Sequence, residues 1–144
     1  MSLYEQVKRI NEATYTIDRL IFKHYKQYLN IGITTQQAVV LDIVYVAKRS
    51  TVGEIAMEMN ISSSAVSQLI AKLEKNQYIK REINLQNRRE IFITLDEKGV
   101  EYFSKQDYVK QQVSDKISSK LTSKDVDELE RIVDKLKEIA MKEL

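Results

Sequence analysis

The amino-acid sequence predicts a mainly α-helical protein with one small β-hairpin. The 144 residues include no proline and only three glycines, so few positions break a helix. Hydrophobic residues recur at helical spacing over most of the chain. The runs YIKREI and IFITL instead alternate apolar and polar residues with a period of two, which is typical of paired strands. We therefore expect a helical fold interrupted by a hairpin between residues 78 and 95.

Composition places the chain among globular proteins, with 43% hydrophobic and 31% charged residues, and its length supports one domain. No apolar run is long enough to span a bilayer and no signal peptide is recognisable, so we expect a cytoplasmic protein without a membrane partner. The chain has no cysteine, which excludes disulfides and thiol chemistry. With His24 as the sole histidine, we expect no metal site and no cofactor.

Amphipathic helices are predicted at both ends of the chain. Apolar residues follow a 3-4 spacing from Leu3 to Tyr28, and this helix is expected to end near Gly32. Thr122 is the predicted cap of a C-terminal helix with one charged face, and a weaker stripe predicts a helix over residues 96–121. These helices offer more apolar surface than one small lobe covers, which predicts a dimer. The C-terminal stripe comprises Val126, Leu129, Val133, Leu136 and Ala140, flanked by Ile132 and Ile139.

The second predicted helix is the expected centre of the core. Thr34 is placed to cap it, and Gln37 three residues later completes the capping-box pattern. Its body, residues 38–47, is apolar nearly all round, as expected for a helix that is covered on both sides. We also expect Met57 and Met59 to fill the core.

Residues 51–79 predict two short helices joined by a tight turn at Asn60 and Ile61. The second helix is capped by Ser62 and has one apolar and one polar face. This is the helix-turn-helix pattern, in which the start of the second helix meets the base edges of DNA. The apolar face comprises Val66, Leu69, Ile70 and Leu73, and the polar face comprises Ser63, Ser64, Ser67, Gln68 and Lys72.

The predicted hairpin has adjacent arginines, Arg88 and Arg89, in its loop NLQNRRE, residues 84–90. A hairpin directly after a helix-turn-helix forms a winged helix, and the wing projects toward the minor groove, whose negative potential attracts arginine. Positive charge concentrates here, since residues 60–92 carry six basic and three acidic side chains. The sequence therefore predicts that DNA is the partner of both arginines.

The runs NIGITTQQAVVLDIV, TVGEIAMEMNISSSAVSQLIAKLEKNQYIKRE and NRREIFITLDEKG resemble the multiple antibiotic resistance regulator (MarR) family of bacterial winged-helix transcription factors. The third run is similar to the wing signature of the family. By this resemblance Arg89 matches the arginine that enters the minor groove, and Arg88 matches a neighbour near the phosphates. Asn87 stands where the family usually has an aspartate that orients the wing arginine, and Asp96 stands where a threonine is common. Without the aspartate, the wing tip is one unit more positive.

The resemblance implies a homodimer that reads a pseudo-palindromic operator on double-stranded DNA. Residues 1–33 and 100–144 would form a helical dimerisation region, and residues 34–99 a winged helix-turn-helix lobe. It further implies a repressor that is relieved by a small phenolic or anionic ligand in the cleft between these parts. The candidate ligand-binding residues are Tyr15, His24, Tyr25, Tyr28 and Tyr45, for which packing in the core or an interface is the alternative interpretation.

The alternative function is a winged-helix module that binds another protein. The sequence does not support an enzymatic function, because it has no glycine-rich phosphate loop and no pattern of a nucleophile beside a histidine. A protein-binding face would show exposed aromatic or aliphatic anchors where this sequence has serines and arginines. DNA binding is therefore the favoured hypothesis. The candidate DNA-binding residues are Ser62, Ser63, Ser64, Ser67, Gln68, Lys72, Asn87, Arg88 and Arg89.

Overall fold

The computed structural model describes residues 1–29 and 32–144, and in these ranges it confirms a helical fold with one antiparallel hairpin. The chain is divided into two compact units, residues 1–106 and residues 107–144. Within the described ranges, no helix is both long enough and apolar enough to cross a membrane. The elements are α1 (Leu3–Leu29), α2 (Thr35–Ala47), α3 (Val52–Met59), α4 (Ser63–Lys75), β1 (Ile79–Ile83), β2 (Ile91–Leu95), α5 (Glu97–Lys116), a short 3-10 helix (Ser118–Lys120) and α6 (Ser123–Glu143).

The N-terminal helix α1 is solvent-exposed along most of its length. Tyr25 is its buried residue, and the backbone there departs from helical geometry (φ −114°, ψ 16°), which kinks the helix. The predicted helix is present and ends at Leu29. Gly32, near the predicted end, has a left-handed φ of 70°, a conformation that glycine adopts without steric cost. The apolar stripe that was expected to pack against another helix lies in solvent in the single chain.

The helix α2 begins as the sequence predicts. The Thr34 hydroxyl accepts a hydrogen bond from the Gln37 backbone N–H at 3.2 Å, and the Gln37 side chain accepts one from the Thr34 N–H at 3.0 Å. The expected cover on both sides is wrong, because Val46 is 81% exposed and Val39 is 40% exposed. The other elements of the lobe pack on one side of α2 only, which leaves its second apolar side open.

The core of the first unit is built from α2, α3, α4 and the hairpin. Met59 packs against this core as expected, but the expectation for Met57 is wrong, since it is 84% exposed. Helical geometry gives the reason: Met57 is two residues from the buried Ile55, about 200° around the helix, so it points away from the core. The fully buried apolar side chains are Val40, Leu41, Val44, Ile55, Val66, Ile70, Leu73, Ile79 and Ile93.

The hairpin is anchored at its base to the segment between α2 and α3. Ser50 and Ile93 exchange two backbone hydrogen bonds, of 3.0 and 2.7 Å, and form an isolated bridge that adds a third short strand position to the sheet. The Arg49 guanidinium, next to Ser50, lies 4.4 Å from the centre of the Phe92 ring in β2, which is a cation–π contact. These contacts fix the direction in which the wing leaves the lobe.

The predicted helix over residues 96–121 is shorter in the structure. The helix α5 ends at Lys116, and a 3-10 turn follows. The Ser119 hydroxyl donates a hydrogen bond to the Asp115 carbonyl oxygen, an alternative to continued helix pairing that serine favours. The C-terminal helix then starts at the predicted cap, because the Thr122 hydroxyl accepts from the Asp125 N–H and the Asp125 carboxylate accepts from the Thr122 N–H, both at 3.1 Å.

Candidate nucleic-acid interface

The turn between α3 and α4 is closed by backbone geometry that suits its sequence. Asn60 adopts a left-handed conformation (φ 54°, ψ 46°), which asparagine tolerates better than most residues. The Ile61 N–H donates to the Ala56 carbonyl oxygen at 3.1 Å. Ser62 then caps α4, its hydroxyl accepting a hydrogen bond from the Ala65 N–H at 3.1 Å. The predicted helix-turn-helix is therefore present, with the start of α4 held rigidly.

The exposed face of α4 is the polar face that the sequence predicts. Its first two turns present small side chains that make no hydrogen bond to the described part of the protein. Two features suit this surface to DNA, since short hydroxyls and an amide can approach base edges, and the free N–H groups of a helix start attract phosphate. The exposed residues of this face are Ser63, Ser64, Ser67, Gln68 and Lys72.

The wing tip is an ordered turn held by two asparagines. The Asn84 carboxamide oxygen accepts from the Gln86 N–H at 3.0 Å, and the Asn87 carboxamide oxygen accepts from the Arg89 N–H at 3.2 Å. The Glu90 N–H donates to the Asn87 carbonyl oxygen at 2.9 Å. Asn87 therefore closes the turn through an uncharged oxygen at the position where the resemblance leads one to expect an aspartate.

The two wing arginines extend from this turn into solvent. Neither the Arg88 nor the Arg89 guanidinium forms an ion pair or hydrogen bond with any residue that the structure describes. Arg81 behaves differently, because its Nε lies 3.2 Å from the Glu74 carboxylate and joins β1 to α4. The three arginines of the hairpin thus divide into one that holds the wing against α4 and two that have no partner among the described residues.

The five candidate ligand-binding residues do not line one common cavity in the described structure. Tyr15 lines a cavity of about 340 Å³ along α1, and Tyr45 lines a separate cavity of about 590 Å³ between α2 and the hairpin. Tyr25 is buried, Tyr28 is half-buried, and His24 is exposed with its ring edge-on to Tyr25 at 4.8 Å. Tyr45 borders the hairpin through its cavity, and its ring stacks on Phe103 at 4.1 Å.

The cavity beside Tyr45 has polar groups that the sequence did not single out. Lys48 and Lys80 line it, together with Thr94, whose buried hydroxyl has no hydrogen-bond partner among the described residues. A buried hydroxyl without a partner is uncommon and invites a ligand or an ordered water. Period-two alternation places Thr94 on the outer face of β2, but nothing in the sequence indicates that α2 covers this face.

Two further residues near the wing are not identified by the sequence patterns. Gly99 follows the hairpin, and a Cβ atom there would collide with the Tyr78 carbonyl oxygen, which also accepts a hydrogen bond from the Asp96 N–H at 3.0 Å. The glycine thus permits a close approach between the start of α5 and the segment before β1. Leu85 is 89% exposed within the wing loop. Its signal in the sequence is one aliphatic residue inside an otherwise polar turn.

Known proteins resemble this chain in sequence and in structure. A sequence model of the MarR family matches residues 33–91. The HTH-type transcriptional regulator MgrA of Staphylococcus aureus is 27% identical over 131 residues, which span 86% of this chain and 84% of MgrA. A MarR family protein from Bacillus stearothermophilus has a similar fold, at 20% identity and a TM-score of 0.72, with 98% of this chain and 99% of that chain covered.

Structures of MepR from Staphylococcus aureus are also similar. A MepR variant bound to an oligodeoxyribonucleotide is 20% identical with a TM-score of 0.61, over 97% of this chain and 99% of that chain. MepR bound to ethidium bromide is 20% identical with a TM-score of 0.71, over 90% and 95% of the two chains.

A capped helix with a free polar face, followed by an arginine-tipped hairpin, defines a winged-helix DNA-binding protein. The family match covers this part of the chain, from the residue before Thr34 to the start of β2. Residues 33–91 match the MarR family, and most of the chain is similar to a transcriptional regulator; the protein is a DNA-binding transcriptional regulator.

Proposed function

We propose that the protein is a homodimeric repressor that binds a pseudo-palindromic operator in double-stranded DNA, and that it has no catalytic activity. The observation that carries this proposal is the pair of arginines, Arg88 and Arg89, which lie on an ordered turn and have no partner among the described residues. In the proposed complex, Arg89 enters the minor groove and Arg88 contacts the adjacent phosphates, while Asn87 sets the turn.

The exposed face of α4 is proposed to read the major groove. Gln68 can form a bidentate contact with adenine, and serine hydroxyls can pair with several base edges. Lys72, one turn further along the helix, lies where a phosphate contact is expected. Ser62 is used as the cap of α4, but its hydroxyl retains a proton to donate to a phosphate. The remaining contact residues are Ser63, Ser64 and Ser67.

Homodimerisation is supported by the apolar stripes of α1 and α6. Leu129 is 55% exposed and Leu136 is 60% exposed, so both leucines of the C-terminal stripe lie open in the single chain. Exposed stripes at this spacing are covered when helices from two copies pack together. We therefore propose residues 1–33 and 100–144 as the dimerisation region, and residues 34–99 as the DNA-binding lobe.

Relief of repression by a small phenolic or anionic effector is the remaining part of the proposal. Support comes from the cavity beside Tyr45, where Lys48 supplies positive charge, Lys80 lies 3.8 Å from the Glu82 carboxylate, and the Thr94 hydroxyl has no partner among the described residues. MepR binds ethidium, which supports ligand binding within this fold in general. Tyr15, His24, Tyr25 and Tyr28 stay secondary candidates, since they lie outside this cavity.

The test begins with selection of bound sites from a random DNA pool. Two inverted half-sites are expected, with centres about one helical turn, roughly 34 Å, apart. Affinity for the selected operator is then measured across a salt series for the parent, Arg88→Ala, Arg89→Ala and the double variant. Because each neutralised phosphate contributes about −0.9 to the slope of log affinity against log salt, the double variant in both wings should flatten the slope by up to about 4 units.

The matched control replaces two exposed arginines outside the lobe, Arg19→Ala with Arg131→Ala, which removes the same charge and should leave the slope unchanged. Circular dichroism checks that every variant is folded. Equal affinity and slope in parent and wing double variant would mean that the wing does not touch DNA. The winged-helix protein-binding module would then become the favoured function.

A further inference from the structure

The wing has an apolar surface beside its arginines. Ile83 and Ile91 form a cross-strand pair at the distal end of the hairpin and are 63% and 40% exposed. They continue the strand face that carries Ile79 at the base and Ile93 in the middle of the hairpin, which are 1% and 0% exposed. Leu85 extends this surface into the turn and is 89% exposed. The hairpin is therefore longer than its core requires, and its apolar face runs on into solvent.

The position of Leu85 is fixed by hydrogen bonds on both sides. The Asn84 N–H donates to the Glu90 carbonyl oxygen at 3.0 Å, and the Gln86 N–H donates to the Asn84 side chain at 3.0 Å. The Asn84 side chain also donates to the Glu90 carboxylate at 3.1 Å. Because the backbone is held before and after Leu85, the turn presents this side chain to solvent.

Charge indicates what covers this surface. Arg88 and Arg89 lie in the same seven-residue loop as Leu85, and the one carboxylate of the loop, Glu90, is already bonded to Asn84. An apolar side chain in the same loop as two guanidinium groups that have no partner among the described residues fits an anionic partner that also has an apolar surface. The minor groove of DNA has both, since its phosphates line the rims and its deoxyribose rings form the walls.

We infer that Leu85 is a contact residue for the minor groove of the operator, where its side chain packs against the deoxyribose walls while the two arginines bind the floor and the rims. The inference rests on the proposed DNA-binding function. It adds a preference in base composition, because the guanine amino group projects into the minor groove and an apolar side chain cannot accept its hydrogen bond. The wing should therefore favour A·T pairs by apolar fit as well as by charge.

The primary test compares Leu85→Ala with Arg89→Ala on the selected operator. Loss of part of a buried leucine side chain should weaken binding by about tenfold per wing, since about 1.4 kcal/mol corresponds to a factor of ten. The slope of log affinity against log salt should stay at the parent value in Leu85→Ala, because an apolar contact releases no counterions, whereas Arg89→Ala should flatten it. Leu85→Met, which keeps the apolar volume, should bind nearly as well as the parent.

Val39→Ala is the matched control, because Val39 is 40% exposed and lies on α2, outside the wing and outside the cavity beside Tyr45. This variant should bind DNA as the parent does. Near-parental affinity in a folded Leu85→Ala protein, alongside weakened binding by Arg89→Ala, would overturn the inference while the proposed function stood. A protein partner would then be the remaining occupant of this surface. Failure of the parent to select any DNA site would overturn the function and the inference together.

A second measurement changes the DNA and leaves the protein intact. Inosine in place of guanine under the wing removes the minor-groove amino group and keeps the major-groove pattern. The substitution should tighten binding of the parent, and Leu85→Ala should lose at least half of that gain on a logarithmic scale. An equal gain in both proteins would contradict the inference, because the base preference would then come from the arginines alone.

Discussion

In the lobe made of α2, α3, α4 and the hairpin, nine apolar side chains are less than 2% exposed, whereas the 21 residues of α6 include none that is buried. Both regions nevertheless start their helices in the same way. Thr34 forms a capping box with Gln37, and Thr122 forms one with Asp125. The local signals that start a helix are thus equivalent in the two regions, and the difference between them lies entirely in what covers the apolar face.

Because of this difference, we expect the stability of the two regions to depend differently on protein concentration. The lobe buries its apolar residues against elements of the same chain, so its folding energy should not depend on protein concentration. The stripe of α6, which includes Leu129 and Leu136, is exposed in the single chain, so in the proposed dimer its contribution should depend on protein concentration. Changes in the two regions should therefore be separable by experiment.

The largest effect is expected from charge on the α6 stripe. Leu129→Glu combined with Leu136→Glu should give monomers, because like charges would face each other across a two-fold interface. Operator affinity should fall to the level of a single half-site, since one lobe alone cannot hold both half-sites. Sedimentation velocity measures the mass, and a DNA titration measures the affinity.

The control for this double variant makes the same change of two charge units on the polar side of the same helix, with Arg131→Glu alone. Arg131 is exposed and lies about half a turn away from the apolar stripe, so the protein should stay dimeric. A monomeric stripe variant that bound the full operator as tightly as the parent would refute the two-fold arrangement.

A smaller effect, on folding alone, is expected from the lobe. Leu41 is fully buried, so Leu41→Ala should lower the free energy of unfolding by about 2–5 kcal/mol through lost transfer energy and a cavity. Urea titrations at several protein concentrations measure this change, and the decrease should be the same at each. Leu136→Ala removes an equal number of atoms from α6 and should shift the monomer–dimer equilibrium instead. If the decrease in the free energy of unfolding of Leu41→Ala depended on protein concentration, the lobe would not be stabilised by contacts within one chain alone.

The same contrast explains how far the sequence can be interpreted. Caps, turns and strand alternation are local, so Thr34, Asn60 and Ser62 could be placed from the sequence and each makes the bond or turn expected of it. Periodicity also identifies which residues share a face of a helix. It does not reveal whether that face is covered, and this is why the expected cover on the second side of α2, which includes Val46, is wrong.

For the candidate site, the type and spacing of residues in the sequence predict DNA-contact residues better than ligand-binding residues. A recognition face needs exposed polar residues on one helix, which a local pattern such as Ser63 to Lys72 can specify. A ligand cavity needs residues that are distant in the sequence to converge. Nothing local indicates that Tyr45 shares a cavity with Thr94 while Tyr15 lies elsewhere, because this depends on how the hairpin packs beside α2.

The smallest effect is expected from a buried ionisable group at the edge of the lobe. Burial raises the pKa of the Tyr102 phenol above its ordinary value near 10, and the negative charge of Asp42 raises it further, while a hydrogen bond with Gln106 acts in the opposite direction. Because the pKa is higher in the folded state, this group's contribution to stability is fully present below pH 10 and is lost as the pH rises through the folded-state value.

The phenylalanine in Tyr102→Phe cannot ionise, so the free energy of unfolding of this variant should fall less steeply than that of the parent as the pH becomes alkaline. At neutral pH the two proteins should differ only by a constant offset. Tyr4→Phe is the control, since Tyr4 is 75% exposed and its replacement should leave the alkaline profile unchanged. Urea titrations between neutral pH and pH 11 measure both profiles. Parallel profiles for Tyr102→Phe and the parent would mean that Tyr102 ionises as freely in the folded lobe as in the unfolded chain.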